Sequence, residues 1–146
     1  MSEIPNPIKV LFLCVGNSAR SQMAEGLLRH LGEGRFEAYS AGIEPKGVHP
    51  LAIRVMEEIG IDISRQQSKS VAKYLGTGHF GYIITLCGWD EEKCPTAFPG
   101  ISVRLHWPRD DPGAPGTGKE QLAGFRTARD RLREMIAEWI AEAGAD

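Results

Sequence analysis

Cys14 and Arg20 flank a five-residue loop. Of all residues in the chain, these two have the types and spacing best suited to catalysis. An apolar run over 8–13 ends at the cysteine, and a helical pattern begins at the arginine. A short loop that enters a helix directs free N–H groups at one point, where the helix dipole adds positive charge. These donors and the guanidinium favour a thiolate and can hold a tetrahedral oxyanion against it. We expect phosphate or arsenate to be bound by Val15, Gly16, Asn17, Ser18, Ala19, Arg20 and Ser21.

Some of these loop residues have more than one interpretation. Gly16 provides either a positive φ angle or a close approach to the anion, or it is an ordinary turn glycine. Asn17 and Ser18 are expected to shape the loop, with Ser18 or Ser21 hydrogen-bonded to Cys14 or to backbone groups. The alternative is that they form a plain helix cap.

The other two cysteines, Cys87 and Cys94, are seven positions apart, so no Cys-x-x-Cys redox or zinc pattern applies. On a helix, seven residues rise about 10 Å, beyond the roughly 7 Å limit between the Cα atoms of a disulfide. A disulfide between them needs a rearranged loop, which the polar segment 88–93 favours. The spacing alone also permits two unrelated thiols, one at a strand end and one on the surface.

Length and composition limit the classes of protein that this chain represents. With 146 residues, it is expected to form a single domain over 1–146. The net charge of -2 provides no basic field for nucleic acid or acidic membranes. The absence of a membrane-length apolar stretch, the lack of a targeting pattern and the odd number of cysteines predict a cytoplasmic protein with reduced thiols. The histidines show no metal-ligand spacing with the cysteines, so no metal site is predicted.

Strand and helix patterns alternate along the chain. Strands are predicted at 8–13, 36–40, 80–86 and 101–106, and helices at 20–31, 50–59, 71–75 and 120–143. This alternation predicts an α/β fold with a parallel sheet and helices on both faces. Ligands of such folds bind at the carboxyl ends of the strands, where Cys14 and Cys87 are expected to lie.

Five motifs carry a resemblance to a known family. The segment 14–26 resembles the phosphate loop of the low-molecular-weight protein tyrosine phosphatase fold, and more narrowly of the thioredoxin-coupled arsenate reductases built on it. The other motifs lie at 39–42, 60–64, 84–87 and 106–112. The resemblance implies a three-layer, single-domain sandwich with a four-stranded parallel sheet in the order 2-1-3-4. It also implies that phosphate or sulfate competes with arsenate and that no cofactor is needed.

The resemblance further implies the roles of the residues outside the loop. Cys14 attacks arsenate while Asp111 protonates the leaving oxygen, with Asp110 as the second choice for the acid. Cys87 then attacks the sulfur of the Cys14 adduct and arsenite departs. Cys94 resolves the disulfide, and thioredoxin reduces the resulting Cys87–Cys94 bond.

The resemblance also concerns a cation near the loop. Some family members hold potassium with positions that match Asn17, Glu25 and Ser40, and a further acidic position of theirs corresponds to Lys69. An ammonium at this position could replace the cation, so we expect no potassium dependence. The alternative is that Lys69 is a solvated surface charge.

Two alternative functions are also compatible with this loop. The first is a phosphatase for phosphotyrosine or small phosphomonoesters, which would use Cys14, Arg20 and Asp111 without a relay. A reductase could also keep residual phosphatase activity, because the loop does not fully distinguish similar oxyanions. Tyrosine phosphatases of this fold usually carry aromatic residues after Asp-Pro, whereas this chain has Gly113 and Ala114. The second is a non-catalytic oxyanion sensor or redox-regulated binding module, which requires an inert Cys14.

Overall fold

The computed structural model describes residues 7–74, 80–86, 103–107 and 117–143. The strands are β1 (Ile8–Cys14), β2 (Phe36–Gly42), β3 (Tyr82–Thr85) and β4 (Val103–His106). The helices are α1 (Arg20–Leu31), α2 (Pro50–Glu57) and α3 (Gly118–Ala143), with a 3-10 helix at Val71–Tyr74. No helix within these ranges is both long enough and apolar enough to cross a membrane.

The four strands form one parallel sheet in the order β2-β1-β3-β4. This is the predicted order. In the register of the sheet, Cys14 lies opposite Gly42, and Thr85 lies opposite both Leu13 and His106. The carboxyl ends of all four strands therefore meet at one edge, which carries Cys14.

Strand β1 is central and contributes to a separate hydrophobic core on each face of the sheet. Val10 and Phe12 pack into the larger core, against apolar side chains of α1, α2 and α3. Leu11 and Leu13 face the smaller core, which includes Val71 and Tyr74 of the 3-10 helix. A strand covered on both faces explains why 8–13 is an almost continuous apolar run. Helical segments thus cover both faces, as predicted.

Several predicted boundaries differ from the structure by one or two residues, as at β1, β3 and the start of α3. Three of the differences have a local reason. Strand β2 extends two residues beyond the predicted end at Ser40, since Gly42 pairs with Cys14 and donates its N–H to the Lys69 carbonyl. Helix α2 ends at Glu57 rather than near Ile59, because the chain turns at Gly60, which has a φ of 79°. The predicted helix at 71–75 is a single 3-10 turn over Val71–Tyr74.

Helix α3 packs its apolar stripe on α1 and α2. Its buried apolar residues are Phe125, Leu132, Ile136 and Ile140. Polar contacts also join α3 to the end of α2. The Arg129 Nη1 donates to the Val55 carbonyl at 2.9 Å and to Glu58 Oε1 at 2.8 Å. Arg126 donates to both oxygens of the same Glu58 carboxylate.

Candidate oxyanion-binding site

Cys14 is the last residue of β1, and the loop 15–19 connects it directly to the first residue of α1. The Cys14 thiol is not part of a disulfide, and the residue is 2% exposed. The strand therefore places the sulfur at the carboxyl edge of the sheet, beside a helix N-terminus.

The backbone of the loop is held from outside by the segment 44–49. Three loop carbonyls accept hydrogen bonds from this segment, from Glu44 N to Val15 O, from Lys46 N to Gly16 O and from His49 N to Ser18 O, at 2.9–3.0 Å. The N–H groups of 15–19 have no acceptor among the described residues. Ala19, the N-cap of α1, gives no side-chain cap. These N–H groups are therefore available as donors to an anion, and the binding of an anion by them stays a prediction.

Asn17, rather than Gly16, has the unusual backbone conformation in this loop. Its φ angle is 45°, and it is fully buried. Of the three interpretations of Gly16, the positive φ angle is wrong, because Gly16 is not among the residues with positive φ. Asparagine tolerates this region better than most residues, since its side chain can hydrogen-bond locally.

The Asn17 amide is oriented by two donors and in turn orients Ser21. Its Oδ1 accepts from the Lys69 N–H at 2.6 Å and from Gln22 Nε2 at 3.0 Å, while its Nδ2 donates to Ser21 Oγ at 2.8 Å. A backbone N–H can only donate, so the assignment of oxygen and nitrogen in the Asn17 amide is fixed.

Ser21 lies 2.8 Å from the sulfur of Cys14, measured from Oγ to Sγ. Since Asn17 already donates to Ser21 Oγ, the hydroxyl proton of Ser21 is available for Sγ. A hydrogen bond donated to sulfur stabilises the thiolate. The alternative that Asn17 and Ser18 form a plain helix cap is wrong, because the N-cap of α1 is Ala19 and makes no side-chain hydrogen bond. Ser21 contacts Cys14 instead.

Arg20 connects the loop to the neighbouring strand. The residue is 4% exposed, and its Nη1 lies 3.5 Å from the carbonyl oxygen of Leu86. Leu86 in turn donates its N–H to the Leu13 carbonyl at 2.8 Å. The guanidinium therefore lies at the shared edge of β1 and β3, close to the loop. Cys87, Cys94, Asp110 and Asp111 lie outside the described residues, so their roles stay predictions.

Gly42 is a functional position that the sequence reasoning missed. A Cβ on Gly42 would lie 2.6 Å from Val15 O, 2.7 Å from Asn17 N and 2.9 Å from Cys14 O. Real Cβ atoms do not approach backbone this closely, so only glycine lets the end of β2 pack against the loop. The motif 39–42 was noted as part of the resemblance, but nothing in it indicated this contact.

The segment 66–70, here called the crossing segment, was also missed. It runs over the start of α1 and the loop and forms hydrogen bonds to both. Its bonds are Gln66 Nε2 to Gln22 O, Gln22 Nε2 to Gln67 O, Ser68 Oγ to Gly16 O and Lys69 N to Asn17 Oδ1. Because much of this bonding uses backbone groups, the residue types of the segment gave little signal.

Glu25, on α1, lies between two cations. Its Oε2 is 2.7 Å from Arg29 Nη2, and its Oε1 is 3.6 Å from Lys69 Nζ and accepts from Ser40 Oγ at 2.6 Å. The Lys69 side chain is only 11% exposed, so its interpretation as a solvated surface charge is wrong. Burial lowers the pKa of Lys69 below its usual value, and the Glu25 carboxylate opposes this shift.

The described parts of the chain contain no group of three or more histidine, cysteine or acidic side chains able to hold a metal ion.

A Cys-x5-Arg loop at the carboxyl edge of this parallel sheet is typical of one class of phosphatase-like proteins. The sequence profile described as low molecular weight phosphotyrosine protein phosphatase matches residues 9–146. The chain belongs to this low molecular weight phosphotyrosine protein phosphatase family.

Similar proteins within the family are named arsenate reductases. The arsenate reductase of Halalkalibacterium halodurans is 46% identical over 137 residues, which span 92% of this chain and 96% of that protein. A solved structure of an arsenate reductase in the phosphate binding state is 36% identical and has a TM-score of 0.71, covering 92% of this chain and 98% of its own. A thioredoxin-dependent arsenate reductase of Corynebacterium glutamicum is 27% identical, with a TM-score of 0.66 over 97% of this chain and 65% of that one. The predicted resemblance is confirmed.

Proposed function

We propose that this protein is an arsenate reductase that begins its reaction at the Cys14 thiolate and is returned to the reduced state by thioredoxin. The observation that carries the proposal is the contact between Ser21 Oγ and Cys14 Sγ, at 2.8 Å. With Asn17 donating to Ser21, the hydroxyl proton is directed at the sulfur. The loop amides and Arg20 then bind the oxyanion whose central atom the sulfur attacks.

The first step forms a bond between sulfur and arsenic. The Cys14 thiolate attacks arsenate, and one arsenate oxygen leaves as water after it receives a proton from Asp111. Asp110 is the second choice for this acid. Phosphate and sulfate, which have the same tetrahedral shape, compete for the loop.

The second step transfers two electrons to arsenic. Cys87 attacks the sulfur of Cys14, a disulfide forms between them, and the electron pair of the sulfur–arsenic bond stays on arsenic, which leaves as arsenite. Cys94 then attacks Cys87 and releases the Cys14 thiolate. The dithiol of thioredoxin reduces the Cys87–Cys94 disulfide and supplies the two electrons of the cycle. The protein acts as one domain over 1–146, in the cytoplasm, without metal or other cofactor.

Coupled turnover tests this proposal. Arsenate should cause NADPH consumption in the presence of thioredoxin and thioredoxin reductase, and little hydrolysis of an aryl phosphate should occur. Glutaredoxin with glutathione, in place of thioredoxin, tests the choice of electron donor. Phosphatase turnover without arsenate-dependent NADPH consumption would overturn the reductase in favour of a phosphatase, and inactivity in both assays would favour the sensor.

The relay has its own test in Cys94→Ser. We expect this variant to release about one equivalent of arsenite per protein and then stop, because the Cys14–Cys87 disulfide cannot be resolved. Released arsenite is measured against the amount of protein, with the wild type as the control. Sustained turnover of Cys94→Ser with thioredoxin would contradict the relay.

A further inference from the structure

Glu25 is a buried carboxylate that the proposed chemistry does not use. The residue is 4% exposed, and its two oxygens contact Arg29, Lys69 and Ser40. A buried carboxylate is strongly unfavourable unless cations or hydrogen-bond donors compensate it. The Arg29 side chain is 54% exposed, whereas that of Lys69 is 11% exposed. Lys69 is therefore the buried cation that compensates the charge of Glu25.

Lys69 joins this carboxylate to the anion-binding loop. Its ammonium approaches Glu25, while its backbone N–H donates to Asn17 Oδ1 at 2.6 Å. Its carbonyl accepts from the Gly42 N–H at 2.9 Å. Lys69 therefore contacts both the buried Glu25 carboxylate and the asparagine that orients Ser21.

The positions that would hold potassium in the resemblance are Asn17, Glu25 and Ser40, and they do not fit it here. The Lys69 ammonium lies 3.6 Å from Glu25 Oε1, the oxygen that also accepts from Ser40. The Asn17 Oδ1 is engaged by Lys69 N and Gln22 Nε2. A potassium ion would therefore meet a fixed positive charge and oxygens that already accept hydrogen bonds.

We propose that Lys69 is a positioning residue whose ammonium takes the place of a bound cation beside Glu25 and keeps the oxyanion loop in its binding conformation. Asn17 holds a φ of 45°, a conformation that persists only where its surroundings enforce it. Loss of the Lys69 charge leaves Glu25 undercompensated and displaces the crossing segment from Asn17. The oxyanion site should then be independent of potassium. This inference rests on the oxyanion site of the proposed function but not on arsenate reduction.

Calorimetric titration with inorganic phosphate tests the inference on the full chain. For the wild type, we expect the phosphate Kd to differ by less than about twofold between potassium chloride and choline chloride at equal ionic strength. Lys69→Met, which keeps the volume and removes the charge, should raise the phosphate Kd by roughly tenfold in both salts. Lys69→Arg, which keeps the charge, should bind nearly as the wild type does.

Two further variants separate positioning from net charge and general stability. Lys69→Ala leaves space beside Glu25, so potassium chloride should partly restore its phosphate affinity while choline chloride should not. Lys73→Ala removes the same charge from an exposed residue of the 3-10 helix and should leave the Kd unchanged. A wild type that binds phosphate several-fold more tightly in potassium, or Lys69→Met with wild-type affinity, would overturn the inference.

The wild-type titration needs no variant, so the inference can be tested even where a substitution prevents folding. A wild type that binds phosphate independently of potassium but does not reduce arsenate would contradict the proposed function alone.

Discussion

Glu25 and Glu58 each lie between one exposed and one buried cation, and the two carboxylates differ mainly in their own exposure. Glu25 pairs with Arg29, which is 54% exposed, and with Lys69, which is 11% exposed. Glu58 pairs with Arg126 at 46% and with Arg129 at 11%. The Glu25 side chain is 6% exposed, whereas that of Glu58 is 30% exposed.

This difference in exposure determines what each group can do. Around Glu58, water replaces a lost partner, so these ion pairs contribute little and tie α2 to α3 at the surface. Around Glu25, no water compensates a lost charge, so the partners must stay in place. The buried Glu25 pairs with Lys69, whose backbone N–H holds the side chain of Asn17 in the loop. Similar sets of charges therefore serve packing at one place and loop positioning at the other.

Among these substitutions, Gly42→Ala should have the largest effect, because its Cβ disturbs the backbone of the oxyanion loop directly. The new Cβ would lie 2.6–2.9 Å from backbone atoms of the loop. We expect the free energy of unfolding to fall by about 3 kcal/mol, the upper range for overpacking, with loss of phosphate binding. Urea denaturation and calorimetry measure the two quantities.

Gly118→Ala is the matched control, since a Cβ there would meet nothing within 4 Å. It should leave both quantities nearly unchanged. If Gly42→Ala binds phosphate as tightly as the wild type, the contact between β2 and the loop does not shape the site.

Glu25→Gln should have the next largest effect. The amide keeps the volume and can still contact Ser40, but the Lys69 ammonium loses its carboxylate. We expect a loss of about 2 kcal/mol in the free energy of unfolding near neutral pH, below the roughly 3–5 kcal/mol for a fully buried pair, because Arg29 reaches water. Urea denaturation of Glu25→Gln beside Glu58→Gln is the measurement. Equal losses of unfolding free energy in Glu25→Gln and Glu58→Gln would contradict the conclusion that burial makes the Glu25 ion pairs the more important ones.

The sequence predicted the helices and strands that are defined by hydrophobic periodicity and by glycine residues at their ends. The run 8–13 is apolar because β1 is covered on both faces, and α1 ends at Leu31 because glycines follow it. The helix at 120–143 was predicted correctly because a long amphipathic helix repeats its apolar pattern over many turns. The Cys-x5-Arg spacing likewise predicted a loop between a strand end and a helix start, and the structure has β1 ending at Cys14 and α1 beginning at Arg20. Anion binding by this loop stays a prediction.

The parts that escaped prediction depend on contacts between distant backbone groups. A positive φ was one of the interpretations of Gly16, from its residue type, whereas the structure has it at Asn17, where the Lys69 N–H donates to the side chain. The need for glycine at Gly42 arises from the loop packed against it, which no local pattern reveals. Lys69 is a polar residue in a polar segment, so only the folded chain shows that its side chain is buried.

Glu58→Gln should have the smallest effect near neutral pH and a distinct dependence on pH. Hydrogen bonds from Arg126 are the largest cause that lowers the pKa of Glu58 from 4.5 to about 2. Burial opposes them as the next largest effect, and the hydrogen bond from Arg129 lowers the pKa further. Because the folded pKa is below the ordinary value, the stabilisation is fully present above pH 4.5 and is lost as the pH falls toward 2. The difference in unfolding free energy between wild type and variant should therefore shrink over this interval. Urea denaturation at several pH values measures it, with Glu57→Gln as the neighbouring control. A difference that stays constant below pH 4.5 would show that the carboxylate acts by packing rather than by charge.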